Sequence, residues 1–190
     1  GNQVHATWKA RLADQLGQMS LELSRPFAAS AMDHPTALAG LSSMAALTRL
    51  LPERDPHPAL YEVTLFVLGF LDDATVWPAL YVRWELALLE ELGFGLDLTQ
   101  CAATGGNDQL IYVSPKTGRA VSASAGEPYK DKLLALPGFL ARSSGAHART
   151  VDLRDGLALT GYFLNARVLS QRSEPMPDVR LRLAERLSRD

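Results

Sequence analysis

Apolar and polar residues alternate through most of the first 25 residues of the chain. The apolar positions of the two runs are Val4, Ala6 and Trp8, then Met19, Leu21 and Leu23. A period of two is typical of β-strands, and Pro26 ends the second run because proline cannot continue a strand ladder. The pattern predicts a β-hairpin or two neighbouring strands, which need further strands or a helical surface to cover them.

The apolar spacing becomes helical after Asp33. Asp33 and Pro35 suit a helix start, since aspartate can cap an N-terminus and proline fits the first turn, and Pro52 ends this helix. A second helix is predicted over residues 58–71, and its apolar residues on most sides place it at the centre of a bundle. A third is predicted over about 75–92, and the short connections imply antiparallel neighbours.

The second half of the chain predicts a further hairpin and more helices. Two strand-like segments, Leu110–Val113 and Arg119–Val121, flank Ser114–Gly118, which is a favourable turn sequence. Helices are expected at about 126–135, at about 151–171 and after Pro177, and Ser143–Gly145 marks a flexible loop.

The segment Arg83–Cys101 joins a helix, a Gly-Phe-Gly stop at Gly93, an alternating Leu96 and Leu98, and a Cys-x-x-Thr-Gly motif. Together with Tyr112–Arg119, Leu159–Leu164 and the Val179-Arg180 pair, this order resembles the RecO family of bacterial recombination mediators. The resemblance implies a mainly α fold: a helical bundle with a small β-hairpin insertion, like a degenerate zinc finger, and N-terminal strands left from an OB barrel.

The resemblance also implies a division of the chain. Residues 1–25 would be the C-terminal strands of a truncated OB-fold domain, and residues 26–190 the helical domain, with the insertion at about 98–126. A small hairpin packed on a helical domain is the alternative interpretation of the first segment.

The insertion is where many members of the family hold zinc with four cysteines. The matching positions here are Cys101, Thr104, Val121 and Ser124. Since a tetrahedral zinc site needs four ligands and three of these residues cannot supply a thiolate, we expect no metal. Packing of Val121 against Tyr112 would replace the metal, and Cys101 would be a small buried apolar residue.

Composition narrows the function further. Apolar residues make up 47% of the 190 residues, so a sizeable core is expected. The single cysteine suits a reducing compartment, and no apolar run is long enough to span a membrane. No catalytic signature surrounds the four histidines, and Gly105-Gly106 lacks a phosphate-loop context, so neither an enzyme nor a cofactor is expected.

The function implied by the resemblance is a non-enzymatic DNA repair and homologous recombination mediator of the bacterial cytoplasm and nucleoid. Such proteins bind and anneal single- and double-stranded DNA, and act with RecR and the single-strand-binding protein SSB to load RecA. The alternative is a helical interaction module that binds a peptide in a groove between helices. A basic stripe that follows nucleic acid would favour the mediator, and a purely apolar groove with no arginine at its rim would favour the interaction module.

Charge is distributed unevenly, with 10 basic against 15 acidic residues up to residue 141 and 9 against 6 afterwards. The candidate phosphate contacts are Lys9, Arg11, Lys116, Arg119, Lys130 and Lys132. The resemblance implies a site for the acidic SSB tail, for which the candidates are Arg83, Trp84, Arg167 and Arg172. Arg83 would bind the terminal carboxylate, unless it pairs with a local acid such as Glu62 or Glu85.

Overall fold

The computed structural model describes residues 1–12, 15–141 and 149–189. The predicted loop at Ser143–Gly145 lies outside these residues. The chain is mainly α, as expected, with a two-stranded sheet at the N-terminus and a three-stranded sheet in the middle.

The N-terminal segment is an antiparallel hairpin of β1 (Gln3–Lys9) and β2 (Gln18–Arg25). Trp8 pairs with Met19 and Ala6 with Leu21, so the apolar residues share one face, as the alternation predicts. That face is largely exposed, with Trp8 at 53% and Leu23 at 62%. The hairpin is confirmed, and its origin in an OB barrel stays a prediction.

Four helices follow the hairpin: α1 (Phe27–Met32), α2 (Pro35–Thr48), α3 (Pro58–Leu68) and α4 (Trp77–Glu91). Prolines occupy the first turns of α2, α3 and α4, where their missing N–H has no partner to lose. The expectation that Asp33 caps α2 was wrong. Asp33 ends α1 instead, and His34 precedes the first turn of α2.

The centre of the bundle is α4 rather than α3. Most of α4 is buried, including Tyr81, Trp84 and Leu88, which are all 0% exposed. In α3, Tyr61 and Phe66 are 50% and 56% exposed. The prediction for α3 was wrong because an apolar composition does not show which side chains find partners.

The middle sheet has the order β4-β3-β5, from β3 (Leu110–Val113), β4 (Ala120–Ser122) and β5 (Leu134–Ala135). The predicted hairpin is confirmed, with Tyr112 and Val121 as register partners. The helix expected at 126–135 was wrong. A short α5 (Ala123–Gly126) leads into a 3-10 helix over Glu127–Lys132, and an extended Leu133 starts the third strand.

The C-terminal part is helical, as predicted. It consists of α6 (Thr150–Phe163), a π-helical segment Leu164–Leu169, α7 (Ser170–Arg172) and, after Ser173 in the left-handed region, α8 (Asp178–Leu187). A 3-10 turn, Gly138–Leu140, precedes α6. The apolar core joins residues of α6, the π-helical segment and α8 to β3 and β4.

Candidate functional site

An ion pair between Glu85 of α4 and Arg180 of α8 lies in the interior of the helical domain. Arg180 Nε and Nη2 donate to the two Glu85 carboxylate oxygens at 2.6 and 2.9 Å, and the side chains are 3% and 0% exposed. Nη2 also donates to the Leu157 carbonyl at 2.8 Å. The hydroxyls of Thr160 and Tyr81 donate to Glu85 at 2.5 and 2.7 Å. The Glu85 carboxylate thus accepts hydrogen bonds from side chains of α4, α6 and α8.

The electrostatics of this network fit a structural role. Burial lowers the pKa of Arg180, but the charge and hydrogen bonds of Glu85 raise it above its ordinary value. Burial, and then the charge of Glu85, raise the pKa of Tyr81 well above its ordinary range, so its hydroxyl stays a donor. Because the pair has almost no solvent contact, it joins α4, α6 and α8 rather than binding a ligand.

Sequence reasoning missed this network, although a signal was present. Glu85 falls on the apolar stripe of α4 beside Tyr81 and Leu88, and Arg180 falls on the buried stripe of α8 with Leu183. A charged residue at a core position of one helix needs an opposite charge at a core position of another. The alternative that Arg83 pairs with Glu85 was wrong, because Arg180 takes both carboxylate oxygens.

Arg83 lies on the side of α4 that faces away from Tyr81 and the ion pair, and it borders a small pocket. Its Nη2 donates to the Phe139 carbonyl of the 3-10 turn. The pocket has a volume of about 230 Å³ and is walled by apolar side chains, with Glu90 as its acidic residue. Those apolar residues are Leu86, Ala87, Leu96, Leu98 and Leu140. The combination of an apolar wall and a guanidinium suits a ligand with an apolar side chain and a carboxylate.

The other candidates for the peptide site do not line this pocket. Trp84 is 0% exposed and donates its indole N–H to Thr64 at 2.8 Å, so it offers no surface to a peptide. Arg167 donates to the carbonyl of Lys116 at 2.5 Å, and Arg172 donates to the carbonyl of Leu50 at 2.7 Å. The arginines therefore contact three different segments, and of the four candidates only Arg83 lines this pocket.

Cys101, the first of the positions that match the zinc ligands, is 0% exposed as predicted. Its surroundings are polar rather than apolar. The Cys101 thiol is hydrogen-bonded to the Ser122 hydroxyl at 3.5 Å, and the Ser122 backbone N–H donates to the sulfur at 3.3 Å. Ser122 in turn contacts Ser124 through their hydroxyls at 3.4 Å. The Cys101 sulfur is thus held by a neighbouring hydroxyl and an amide.

These donors change the acidity of the thiol. Burial raises the pKa of Cys101, but hydrogen bonds from Ser122 and Thr104 lower it to about 6. The described residues contain no group of three or more histidine, cysteine or carboxylate side chains that could hold a metal ion.

The six candidate phosphate contacts fall in three places. Lys9 and Arg11 lie at the exposed end of β1. Lys130 and Lys132 lie in the 3-10 helix after the insertion, where Lys130 pairs with Glu127 at 2.9 Å. Lys116 and Arg119 lie in and beside the β3–β4 turn.

The β3–β4 turn is held from two sides. Arg119 Nε contacts the Asp97 carboxylate at 3.4 Å. The Asp97 backbone N–H donates to the Gly118 carbonyl at 3.1 Å, and the Asp97 carbonyl accepts from the Ala120 N–H at 2.8 Å. The Arg167 guanidinium binds the Lys116 carbonyl from the helical side. Lys116, Arg119 and Arg167 are thereby brought to one region, which the sequence did not indicate for Arg167.

Comparison with known proteins gives a consistent result. The family model described as "Recombination protein O C terminal" matches residues 32–174. The DNA repair protein RecO of Methylorubrum extorquens is 54% identical over 187 residues, which cover 96% of this chain and 76% of the relative. RecO of Rhodospirillum centenum is 54% identical over 190 residues, covering 98% and 74%. RecO of Phenylobacterium zucineum is 50% identical over 189 residues, covering 99% and 77%.

No solved structure matches the chain. Among the described residues, none of the helices has the length and apolar character needed to cross a membrane.

Proposed function

The chain belongs to the RecO family of DNA repair proteins, and from this premise we propose that it acts in DNA repair and recombination as a non-enzymatic mediator. In this role it binds single- and double-stranded DNA and anneals complementary strands in the bacterial cytoplasm, at the nucleoid. With RecR and SSB it helps to load RecA. No cofactor takes part.

The β3–β4 turn supports the DNA-binding part of the proposal. Lys116 is exposed at the tip, Arg119 is 43% exposed beside it, and Arg167 holds the turn against the π-helical segment. A rigid turn that presents several cations can follow a phosphate backbone without reading its sequence. The net charge of −2 gives no general attraction to DNA, so binding must come from such a local group of cations.

The test is fluorescence anisotropy with labelled single-stranded DNA over a range of salt concentrations. Neutralising the pair with Lys116→Ala and Arg119→Ala should weaken binding for all DNA sequences and lower the slope of log K against log salt by about 1–2. The matched control is Arg182→Ala with Arg189→Ala, which removes two exposed arginines that are not among the candidate phosphate contacts. An unchanged salt slope in the double variant would remove this turn from the interface.

The pocket beside Arg83 supports the proposed SSB contact. The SSB tail ends in acidic residues, an apolar residue and a free carboxylate. Its last side chain would enter the apolar pocket, while its carboxylate would accept from the Arg83 guanidinium. The cationic rim favours this ligand over the neutral peptide of a general interaction module. Glu90, on the same pocket, would weaken the affinity for so acidic a partner.

A further inference from the structure

A second, larger cleft lies next to the Arg83 pocket, and the described residues that line it are uncharged. It has a volume of about 630 Å³ and lies between the start of the insertion, the first residues of β3 and the 3-10 turn before α6. Carboxamide side chains of Gln100, Asn107 and Gln109 line it, and Leu98 and Ile111 supply apolar surface. The volume falls within the range typical of small-ligand sites.

The three carboxamides are available to a ligand. The side chains of Gln100, Asn107 and Gln109 make no hydrogen bond with any residue in the described ranges 1–12, 15–141 and 149–189. Each carboxamide offers both a donor and an acceptor. Gly105 lies beside them in the left-handed region, and a Cβ there would meet nothing within 4 Å, so the backbone leaves the cleft open.

Cations flank this neutral cleft. Leu98 belongs to its wall and also to the wall of the Arg83 pocket, so the two depressions adjoin. Leu98 directly follows Asp97, which holds Arg119 at 3.4 Å. A polymer that alternates neutral polar groups with anionic linkages would therefore fit this surface. Its anions would contact the cations beside the cleft, and its neutral groups would contact the carboxamides inside the cleft.

We propose that this cleft binds nucleobases of single-stranded DNA while Arg119 beside it binds a phosphate. Carboxamides pair with the donor and acceptor edges of bases, and leucine and isoleucine side chains pack against base faces. A peptide with acidic side chains fits less well, because none of the described residues that line the cleft is a cation. This inference rests on the proposed DNA binding and adds to it a direct contact with the bases.

The experiment compares a thymidine oligonucleotide with an abasic oligonucleotide of the same length and charge, bound to the full chain. The wild type should bind the thymidine oligonucleotide on the order of tenfold more tightly, as expected for one good base contact. Gln100→Ala with Asn107→Ala should abolish that difference and leave abasic binding unchanged. Both residues are exposed, so the fold should persist, which circular dichroism checks. Gln171→Ala, an exposed carboxamide outside the cleft, is the matched control.

The outcomes separate the two proposals. Equal wild-type binding of both oligonucleotides would overturn the base cleft and leave DNA binding intact. Binding of neither would overturn both. A difference that survives in the double variant would place the base contact elsewhere and overturn the cleft. If the wild type shows no base dependence but the double variant weakens binding of an acidic tail peptide, the cleft is a peptide site and the base proposal is wrong.

Discussion

Glu85 and Arg180 show how single charged side chains can fix the arrangement of helices. Removing two charges from water costs several kcal/mol for each ion, and the pair offsets this only because its hydrogen bonds are satisfied. Thr160, Tyr81 and the Leu157 carbonyl provide those additional bonds. A buried pair of this kind specifies where α8 packs more than it adds stability.

Arg180→Ala should destabilise the protein by about 3–5 kcal/mol, because it leaves the Glu85 charge buried without a partner. Urea unfolding followed by circular dichroism measures this change. The matched control is Arg186→Ala, also on α8, whose exposed side chain donates to the Pro35 carbonyl at 3.0 Å and to no other residue that the structure describes. It should cost about 1 kcal/mol or less.

A double variant tests the cause of that loss. Glu85→Leu combined with Arg180→Met replaces both charges by apolar groups and should recover most of the stability. If Arg180→Ala proves no more destabilising than Arg186→Ala, the ion pair does not hold α8 in place.

Cys101 should titrate near neutral pH although it is buried. Its pKa of about 6 lies below the ordinary value of 9.0, so the thiolate forms as the pH rises through 6. Absorbance at the thiolate band of the wild type minus Cys101→Ala should increase around that pH. Alkylation of the native protein should nevertheless be slow, because the sulfur has no exposed surface.

The same shift affects stability in a defined direction. A pKa lowered in the folded state stabilises the protein fully above the unfolded pKa, and the effect is lost as the pH falls through the folded pKa. Relative to Cys101→Ala, the wild type should therefore gain stability between about pH 6 and pH 9. A constant difference in unfolding free energy across this window would contradict the role given to Ser122 and Thr104.

At the level of secondary structure, the β3–β4 turn depends on one glycine. Gly118 has a φ of +71°, and a Cβ there would lie 2.9 Å from the Leu96 side chain. Gly118→Ala should therefore cost about 1–3 kcal/mol and disturb the position of Lys116 and Arg119. Gly106→Ala is the control, since the nearest atom to its Cβ would be 3.6 Å away. Equal unfolding midpoints for the two variants would show that the turn is not strained by a side chain.

The elements with strong local patterns could be predicted from the sequence. The β1–β2 hairpin follows from its alternation, and the starts of α2 and α3 follow from their prolines. The β5 strand could not be predicted, because Leu134–Ala135 becomes a strand only by pairing with β3. The π-helical segment likewise carries no local sequence signal that we recognise.

For the chain as a whole, the candidate sites depended on distant contacts that a linear pattern does not contain. Arg167 was expected beside Arg83, but it contacts the Lys116 carbonyl in the middle sheet. Glu85 and Arg180 are separated by 95 positions, and the packing of α8 against α2 and α6 brings them together. By contrast, the family could be recognised from the sequence, since it depends on the order of motifs rather than on their geometry.

The central claim is that this helical domain acts in repair through partners, with Arg83 as the anchor for the SSB tail. The most direct test is titration of a labelled acidic peptide, ending in an apolar residue and a free carboxylate, into the wild type and Arg83→Ala. The variant should bind about tenfold more weakly. Arg182→Ala, an exposed arginine of α8 outside the pocket, should bind like the wild type. A folded Arg83→Ala protein with undiminished affinity for the peptide would contradict the account.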